Sequence, residues 1–301
     1  MNLCVILLTY NESANINACL DSLAGLDAGI FAVDSFSTDN TVDLLEKRGI
    51  AYVQHPFENY ARQRNWAQEN CPFPAAWVLH LDAGERLSPE LTDWLRHHFD
   101  PNTPASGYLF SRRTIFMDRW IRHGGHYPNY HLRLFRRDRG HCEAKAYDQH
   151  FLCGGLVLKA PWKADLIDIV SSNLVDFTNS HTRWALLEAV ERISQPHDTG
   201  EVTPRFWGTP IERRRWWKTG LFDRSPLFAR AFLYFIYRYV IRFGFLDGFP
   251  GLIFHFLQGC WFRFLVDALV LDIRRSQVRT GQSLNQTLCA IYGQKNAKQP
   301  I

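Results

Sequence analysis

The chain has 301 residues, which is enough for one large domain or for a domain with an appendage. Apolar residues make up 46% of it and exclude a disordered chain, while a net charge of +4 gives no reason to expect a nucleic-acid partner. Its seven cysteines are scattered without a CxxC pair, which argues against a disulfide scaffold and a zinc site and favours a reducing cytosol.

In the first hundred residues, short apolar runs alternate with segments of helical periodicity. The run 3–8 is too short for a signal peptide, no basic residue precedes it, and we predict a buried strand there. Further strands are predicted at 30–33, 51–53 and 77–81, and helices at about 16–24, at 41–48 and 59–69, and from Ser88 onward. This alternation predicts an α/β fold with a doubly wound, mostly parallel sheet.

The remaining chain changes character twice. Short β-like pieces occur at 107–110, 131–135 and 155–158, and from 181 onward the pattern is mostly helical. We therefore divide the chain at these changes into three parts, 1–105, 106–180 and a mostly helical region at 181–301.

Three polar clusters follow predicted strands, at 9–12, 34–40 and 82–85. Ligands of such sheets bind beyond the carboxyl ends of the strands, so this placement predicts a binding site. The alternative is that the clusters are ordinary strand-to-helix turns, which favour the same polar residues.

Several motifs together are similar to those of family-2 glycosyltransferases of the GT-A fold. The version at 33–41 resembles the branch that holds bacterial lipopolysaccharide-core and exopolysaccharide enzymes. The motifs, in chain order, are LTYNE at 8–12, VDSFSTDNT at 33–41, QRN at 63–65, LDAGE at 81–85, RHGGHYPNYHLRLFR at 122–136 and FGFLDG at 243–248.

The resemblance implies a nucleotide-sugar-binding half at 1–105, an acceptor-binding and catalytic half at 106–180, and a membrane-associating helical region at 181–301. Asp34 would accept hydrogen bonds from the base or the ribose, Thr9 and Tyr10 would form the wall of the base pocket, and Arg64 would line the nucleotide site. Glu12 and Asp82 complete this set. The alternatives are that Tyr10 is a tyrosine at the edge of the core and that Arg64 is a solvated helix residue.

The acidic motif implies a metal. Asp82 and Glu85 match the ends of the family's usual Asp-Ala-Asp-Glu, and hard oxygen ligands suit Mg²⁺ or Mn²⁺. Gly84 replaces the middle acid, so arginines could take over part of the neutralisation of the diphosphate.

Inverting transfer needs a base for the acceptor hydroxyl. Where many relatives carry His-Glu, this chain has Tyr147-Asp148-Gln149-His150, and Gln149 cannot act as a base. Asp148 is the leading candidate, with Glu143 and His150 as rivals. Arg133 is expected to face the diphosphate or the acceptor, with Arg112, Arg113, Arg119 and Arg122 as further phosphate-binding candidates. We interpret His123, His126 and His131 as site-lining or hydrogen-bonded histidines.

Two aromatic-rich stretches, 228–245 and 249–271, dominate the last third. Charged residues interrupt both, so we predict amphipathic helices in the membrane interface, with arginines such as Arg230, Arg238 and Arg242 on anionic lipids. The alternative is packing on the catalytic domain or on another subunit.

The combined reading is an inverting hexosyltransferase. It would move a sugar, UDP-linked in our interpretation, to a lipid-linked or cell-envelope glycan, as a peripheral or monotopic protein at the cytoplasmic face of the inner membrane. One rival is a nucleotidyl-type transferase, which would need a basic triphosphate-binding loop where the chain has Thr9-Tyr-Asn-Glu12. The other is a membrane-bound nucleotide-sugar- or glycan-binding protein with impaired catalysis.

Overall fold

The computed structural model describes residues 2–144, 149–170, 173–194, 202–217, 220 and 225–293. These residues form two compact units. Unit 1 comprises residues 2–115, 128–144 and 149–169, and unit 2 comprises residues 116–127 and the described part of 170–293. The strands are β1 (Leu3–Thr9), β2 (Ala28–Asp34), β3 (Ala51–Gln54), β4 (Trp77–Asp82), β5 (Glu85–Leu87), β6 (Gly107–Phe116), β7 (Arg119–Ile121), β8 (Tyr130–Arg136), β9 (Gly140–Cys142), β10 (Phe151–Cys153), β11 (Val157–Lys159) and β12 (Asp165–Ile169).

The sheet of unit 1 has the strand order β3-β2-β1-β4-β8-β6-β12-β5, and β11 pairs with β6. Strands β3, β2, β1 and β4 are parallel to one another, β8 is antiparallel to both β4 and β6, and β12 runs parallel to β6 and antiparallel to β5. The predicted α/β class and mostly parallel sheet are confirmed. The short β5 and the β9–β10 hairpin were not predicted.

Three helices connect the parallel strands β1 to β4 in turn, α1 (Ile16–Leu23), α2 (Thr41–Lys47) and α3 (Tyr60–Glu69), and α4 (Pro89–His97) lies between β5 and β6. The predicted start of α4 is confirmed, since Ser88 Oγ accepts the amide of Leu91 at 3.1 Å and Pro89 occupies the first turn. The core beneath them is built from the buried faces of β1, β4 and α1, including Val5, Leu79 and Leu20. Of the four helices, α3 and α4 have a side-chain N-cap, from Asn59 and Ser88.

Unit 2 is mainly helical. Its helices are α5 (Leu174–Ser194), α6 (Pro210–Trp217), α7 (Ala229–Ile236), α8 (Gly248–His255), α9 (Phe262–Thr280) and α10 (Leu284–Tyr292). π-helical turns at Tyr237–Ile241 and Phe256–Trp261 and a 3₁₀ turn at Gly244–Asp247 join α7, α8 and α9. Ala185 and Ala189 of α5 pack against Phe262, Val266 and Val270 of α9. Small residues on α5 thus let the two long helices approach closely.

Within the described residues, length and apolar composition let no single helix cross a bilayer. Only the bent pair Ala229–Ile241 and Gly244–Thr280 meets both requirements when its two arms are counted together.

The prediction that the arginines of this region face lipid headgroups is wrong for Arg230 and Arg238. Both are buried: Arg230 Nε donates to the Asp267 carboxylate at 3.0 and 3.1 Å, and Arg238 Nη1 donates to Gln258 Oε1 at 3.0 Å. Arg242 is exposed as expected. A buried guanidinium requires a hydrogen-bond partner within the protein, and both arginines have one.

Candidate functional site

Three of the predicted donor-site residues are the last residues of adjacent parallel strands. Thr9 ends β1, Asp34 ends β2 and Asp82 ends β4, with Thr9 in register with Asp34 and Leu8 in register with Asp82. The expected placement at the carboxyl edge of the sheet is therefore confirmed. This edge is where an α/β sheet binds its ligand.

The turns that follow β1 and β2 are tied to each other. The amide of Asn11 donates to Ser37 Oγ at 2.8 Å, and the amide of Thr38 donates to Asn11 Oδ1 at 2.8 Å. The amide of Glu12 donates to the hydroxyl of Thr41 at 2.7 Å. Burial raises the pKa of the Glu12 carboxyl above its usual range, although a hydrogen bond from Asn15 opposes this. The two polar motifs thus form one ordered surface.

Asp34 lies beneath that surface and is fully buried. Its Oδ1 accepts from the hydroxyls of Thr9 at 3.0 Å and Ser37 at 2.5 Å, and its Oδ2 accepts from the Ser37 amide at 2.8 Å and Gln54 Nε2 at 3.2 Å. Both carboxylate oxygens are occupied within the protein. In this structure Asp34 therefore orders the turns. Its direct contact with a base or ribose stays a prediction, and such a contact would have to displace a partner such as Gln54.

Two aromatic side chains project from the tied turns. Tyr10 is 57% exposed, so it is not a tyrosine packed at the edge of the core. Phe36 is 51% exposed and has a φ of 59°, a left-handed conformation that is unfavourable for a bulky residue. Sequence reasoning missed Phe36, although an aromatic residue between two serines in a polar turn was a usable signal. Exposed rings held on ordered backbone can stack on a base.

A charged cluster lies at the end of β4. Arg64 Nη2 donates to both Asp82 oxygens, at 3.0 and 3.2 Å, and Arg133 Nη2 donates to Asp82 Oδ2 at 3.1 Å and to Glu85 Oε1 at 2.8 Å. Arg64 is mostly buried rather than solvated, and Arg133 and Glu85 are buried. Asp82 is the most exposed carboxylate of the cluster, with 39% of its side chain accessible. Two arginines and two carboxylates thus balance one another.

Opposite effects act on the two carboxyl groups. Burial would raise the pKa of Asp82, but the adjacent Arg64 and Arg133 hold it well below its usual range. Burial raises the pKa of Glu85 to about 7, because Arg133 only partly offsets desolvation and the charges of Asp82 and Asp168 add to it. Asp82 is therefore the stable anion that keeps both arginines charged and in place.

The two acids do not by themselves make a protein-held metal site. Glu85 is 1% exposed and its oxygens accept from Arg133 and, at 3.1 Å, from the amide of Asp82. Among the described residues there is no group of three or more His, Cys, Asp or Glu side chains placed to hold a metal. Mg²⁺ is commonly bound by one or two carboxylates together with substrate phosphates, and the exposed oxygens of Asp82 fit that role. The role of Asp82 as a ligand of Mg²⁺ or Mn²⁺ stays a prediction. The buried position of Glu85 argues against the same role for Glu85.

Gly84 has room for the carboxylate that the acidic motif lacks. A Cβ there would have the carbonyl oxygen of Ile169 as its nearest neighbour, at 3.7 Å, and the backbone is not left-handed. In Gly84→Asp we expect Mn²⁺ alone to raise the unfolding temperature more than it does in the wild type, because the new acid adds a ligand beside Asp82. Thermal unfolding with and without Mn²⁺ measures this.

Gly84→Asn is the matched control, since it adds the same volume without the charge. Equal responses to Mn²⁺ in the wild type and in Gly84→Asp would show that position 84 does not reach a metal.

The described candidate bases, Glu143 and His150, lie at the β9–β10 hairpin. Asp148, the leading candidate from the sequence, is outside the described residues. Its rivals contact each other: the buried Glu143 Oε1 accepts from the His150 amide at 2.9 Å and lies 2.9 Å from His150 Nδ1. Asn65, next to Arg64 on α3, bonds both the amide and the carbonyl of Cys142 in this hairpin. The hairpin is thereby fixed to the helix that carries Arg64.

Four of the other predicted polar residues have protein partners. In unit 1, Arg113 Nε lies 2.7 Å from Asp165 Oδ2, and Arg112 Nε lies 3.5 Å from Asp168 Oδ2. In unit 2, His123 Nδ1 lies 2.6 Å from Asp247 Oδ1, and His126 Nδ1 accepts from Arg238 Nη2 at 2.9 Å. Arg119 and Arg122 are exposed. The interpretation of His123 and His126 as hydrogen-bonded histidines is confirmed.

Comparisons with known protein sequences give several matches. The sequence profile of Glycosyl transferase family 2 matches residues 4–155. LpsC of Rhizobium meliloti (strain 1021), named a lipopolysaccharide core biosynthesis glycosyltransferase, is 30% identical over 143 residues, which are 46% of this chain and 52% of LpsC. An uncharacterized glycosyltransferase of Rickettsia conorii is 32% identical over 113 residues, 38% of this chain and 39% of that protein. The matches therefore span about half of these relatives or less.

Solved structures also match. A crystal structure of S. aureus TarS 1-349 in complex with UDP is 16% identical with a TM-score of 0.41, covering 94% of this chain and 92% of that one. Glucosyl-3-phosphoglycerate synthase from Mycobacterium tuberculosis, in complex with Mn²⁺, UDP and phosphoglyceric acid, is 18% identical with a TM-score of 0.30, covering 37% and 43% of the two chains.

Proposed function

Because the chain belongs to glycosyl transferase family 2, we propose that it transfers a sugar from a UDP-sugar to a hydroxyl of a lipid-linked or cell-envelope glycan, with inversion at the anomeric carbon. The observation that carries this proposal is the convergence at one sheet edge. Thr9, Asp34 and Asp82 end adjacent parallel strands, and Arg64 and Arg133 meet at Asp82.

The two arginines are the proposed contacts of the diphosphate. Arg133 is buried, and its Nη1 has no hydrogen-bond partner among the described residues. A buried donor without a partner is costly, and a phosphate oxygen would satisfy it. Arg64 has a little accessible surface and uses only Nη2 on Asp82. Guanidinium groups suit phosphate through paired, charge-assisted hydrogen bonds.

The base of the nucleotide is proposed to stack between or upon Tyr10 and Phe36. Both rings are exposed and project from turns that hydrogen bonds hold in place. Rigid support matters because the ligand then binds without first ordering its site.

Two groups compete as the base that accepts the acceptor's proton. Asp148 retains its place from the sequence, while His150 has the support of Glu143, whose carboxylate would fix the imidazole through Nδ1. If His150 is the base, His150→Gln should abolish transfer with UDP binding intact, and Asp148→Asn should leave it active. The reverse pattern would assign the proton transfer to Asp148.

The acceptor proposal rests on the relatives and on unit 2. LpsC is named a lipopolysaccharide core biosynthesis glycosyltransferase. By analogy, the proposed acceptor of this chain is a lipid-borne saccharide. Such an acceptor would bring the protein to the cytoplasmic face of the inner membrane.

Donor binding gives the most direct test of the stacking surface. Tyr10→Ala is expected to weaken UDP binding by about tenfold, since stacking of a base on an aromatic ring contributes ~1–3 kcal/mol. Isothermal titration calorimetry with UDP and with UDP-sugars measures the change. Trp162→Ala is the control: Trp162 is also exposed, but it precedes β12, whose first residue lies at the opposite edge of the sheet. Equal affinities in both variants would remove Tyr10 from the donor site.

The second candidate function is a binding protein without catalysis. Gly84 in the acidic motif and Gln149 beside His150 are the features that favour it. Such a protein would bind UDP yet turn over no UDP-sugar.

A further inference from the structure

An unusual apolar surface lies on unit 2 along α7, the bend that follows it, and α8. Phe249 is 81% exposed, Leu233 62% and Ile241 61%. We call this surface the apolar face, and its large exposed side chains are Phe232, Leu233, Ile236, Tyr237, Val240, Ile241, Phe243, Phe245, Leu246, Phe249 and Phe256. Contiguous apolar surface of this kind marks an interaction site.

The charged residues of the same segment point inward. From Ser225 to Phe262 the one exposed charged side chain is that of Arg242. Arg230 pairs with Asp267, and Asp247 accepts from the amide of His123 at 2.8 Å. Arg238 Nε donates to the carbonyl oxygen of Gly124 at 3.1 Å. Charged residues therefore occur along this sequence, but apart from Arg242 their side chains are buried. In a water-facing helix the charged side chains are exposed and the apolar side chains are buried.

The backbone at the bend is also satisfied from within. The Arg242 amide donates to Tyr237 O at 2.9 Å, the Phe243 amide donates to Val240 O at 3.2 Å, and the carbonyl of Arg242 accepts from the Gly124 amide at 2.9 Å. Phe243 has a φ of 59° and is exposed, so the bend holds a bulky ring outward in a strained conformation. Closed backbone hydrogen bonding is what a lipid environment requires, because it supplies no replacement partners.

The hydrogen-bonding capacity of the face distinguishes lipid from protein. Among the exposed side chains from Ala229 to Trp261, polar groups occur only on Tyr237 and Arg242, and Arg242 Nη1 donates to the Tyr237 hydroxyl at 3.3 Å. A protein interface typically forms one hydrogen bond per ~100–200 Å². A face with two such groups, already bonded to each other, suits acyl chains instead.

The first arm is too short for a complete crossing, and no single helix of the described residues is both long and apolar enough for one. Thirteen residues from Ala229 to Ile241 extend about 20 Å as a helix, against a hydrocarbon core of about 30 Å. We propose that the apolar face enters one leaflet of a bilayer and binds its acyl chains, so that membrane attachment depends on apolar partition rather than on arginine contacts with anionic headgroups. This deepens the membrane part of the proposed function. The donor site plays no part in it, so a failure here would leave UDP binding and sugar transfer unaffected.

Flotation of the full chain with vesicles tests the proposal. The protein is expected to float with neutral phosphatidylcholine vesicles and to remain bound in about 0.5 M NaCl, where charge attraction is largely screened. Ile241→Asp and Phe249→Asp should each reduce the bound fraction about tenfold, because a carboxylate would enter the hydrocarbon. Both side chains point outward, so the fold should persist, as circular dichroism can verify.

Val278→Asp is the matched control. Val278 is an apolar residue of unit 2 that is 88% exposed and lies on α9 outside the apolar face, so its variant should float like the wild type. Flotation only with anionic vesicles at low salt would overturn the proposal in favour of headgroup attraction. A dimer that Phe249→Asp converts to a monomer, without vesicle binding by the wild type, would overturn it in favour of a second copy of the chain.

Discussion

Arg133→Ala is expected to lower the free energy of unfolding by ~3–5 kcal/mol, since removing one partner of a buried ion pair leaves Glu85 without its guanidinium, so that it must either stay charged and unpaired or take up a proton. Glu85 is 1% exposed and accepts a hydrogen bond from Arg133 Nη2 at 2.8 Å. Asp82 would lose one of its two arginines as well. Urea denaturation followed by tryptophan fluorescence and circular dichroism measures the change.

The double variant Arg133→Met/Glu85→Leu distinguishes the effect of losing the ion pair from the effect of losing side-chain volume. It removes both charges and keeps apolar bulk, so it should recover much of the stability that Arg133→Ala loses. An Arg133→Ala protein within ~0.5 kcal/mol of the wild type would mean that the cluster is hydrated and not the buried pair described above.

Arg64→Ala is expected to reduce kcat/KM for the UDP-sugar by about a hundredfold, because a preorganised donor to developing charge typically contributes 10²–10³ in rate. Arg64 lies on α3 with its Nη2 on Asp82, at the end of β4 where the diphosphate is proposed to bind. Steady-state kinetics of UDP release, with stability monitored in parallel, distinguishes this loss from unfolding.

Arg62→Ala is the control for that experiment. Arg62 lies on the same helix, but its side chain is 71% exposed and pairs with Glu58 at the surface. It should retain wild-type kinetics, since exposed ion pairs contribute little. If both variants lost activity equally, general electrostatic attraction rather than a placed guanidinium would explain the result.

The local features of unit 1 could be predicted from the sequence. The run 3–8 is continuously apolar, and the run 77–81 is apolar apart from the buried His80, because parallel strands are covered on both sides. The polar residues that follow these runs mark the sheet edge. Asp34 and Asp82 were found in this way. The saturation of Asp34 was not, because its partner Gln54 lies 20 residues along the chain and is contributed by the next strand.

The features that could not be predicted depend on contacts between residues that are far apart in the sequence. Arg133 and Glu85 are 48 residues apart, and the strand pairing that brings them together crosses from β4 to β8. Similarly, a pattern of charges along residues 228–271 cannot reveal that Arg230 would meet Asp267 inside unit 2. The sequence supplies the charges, but the fold decides which of them reach the surface.

The most direct measurement is a transfer assay with UDP-sugars on the purified full chain, following UDP release and the anomeric configuration of the product by NMR, for the wild type and Arg64→Ala. A glycosyltransferase with its donor site at the ends of β1, β2 and β4 should release UDP from one UDP-sugar, form a glycoside of inverted configuration, and lose most of this activity in Arg64→Ala. UDP binding without turnover of any UDP-sugar, in the presence of lipid-linked saccharides and Mn²⁺ or Mg²⁺, would contradict the assignment and favour a binding protein.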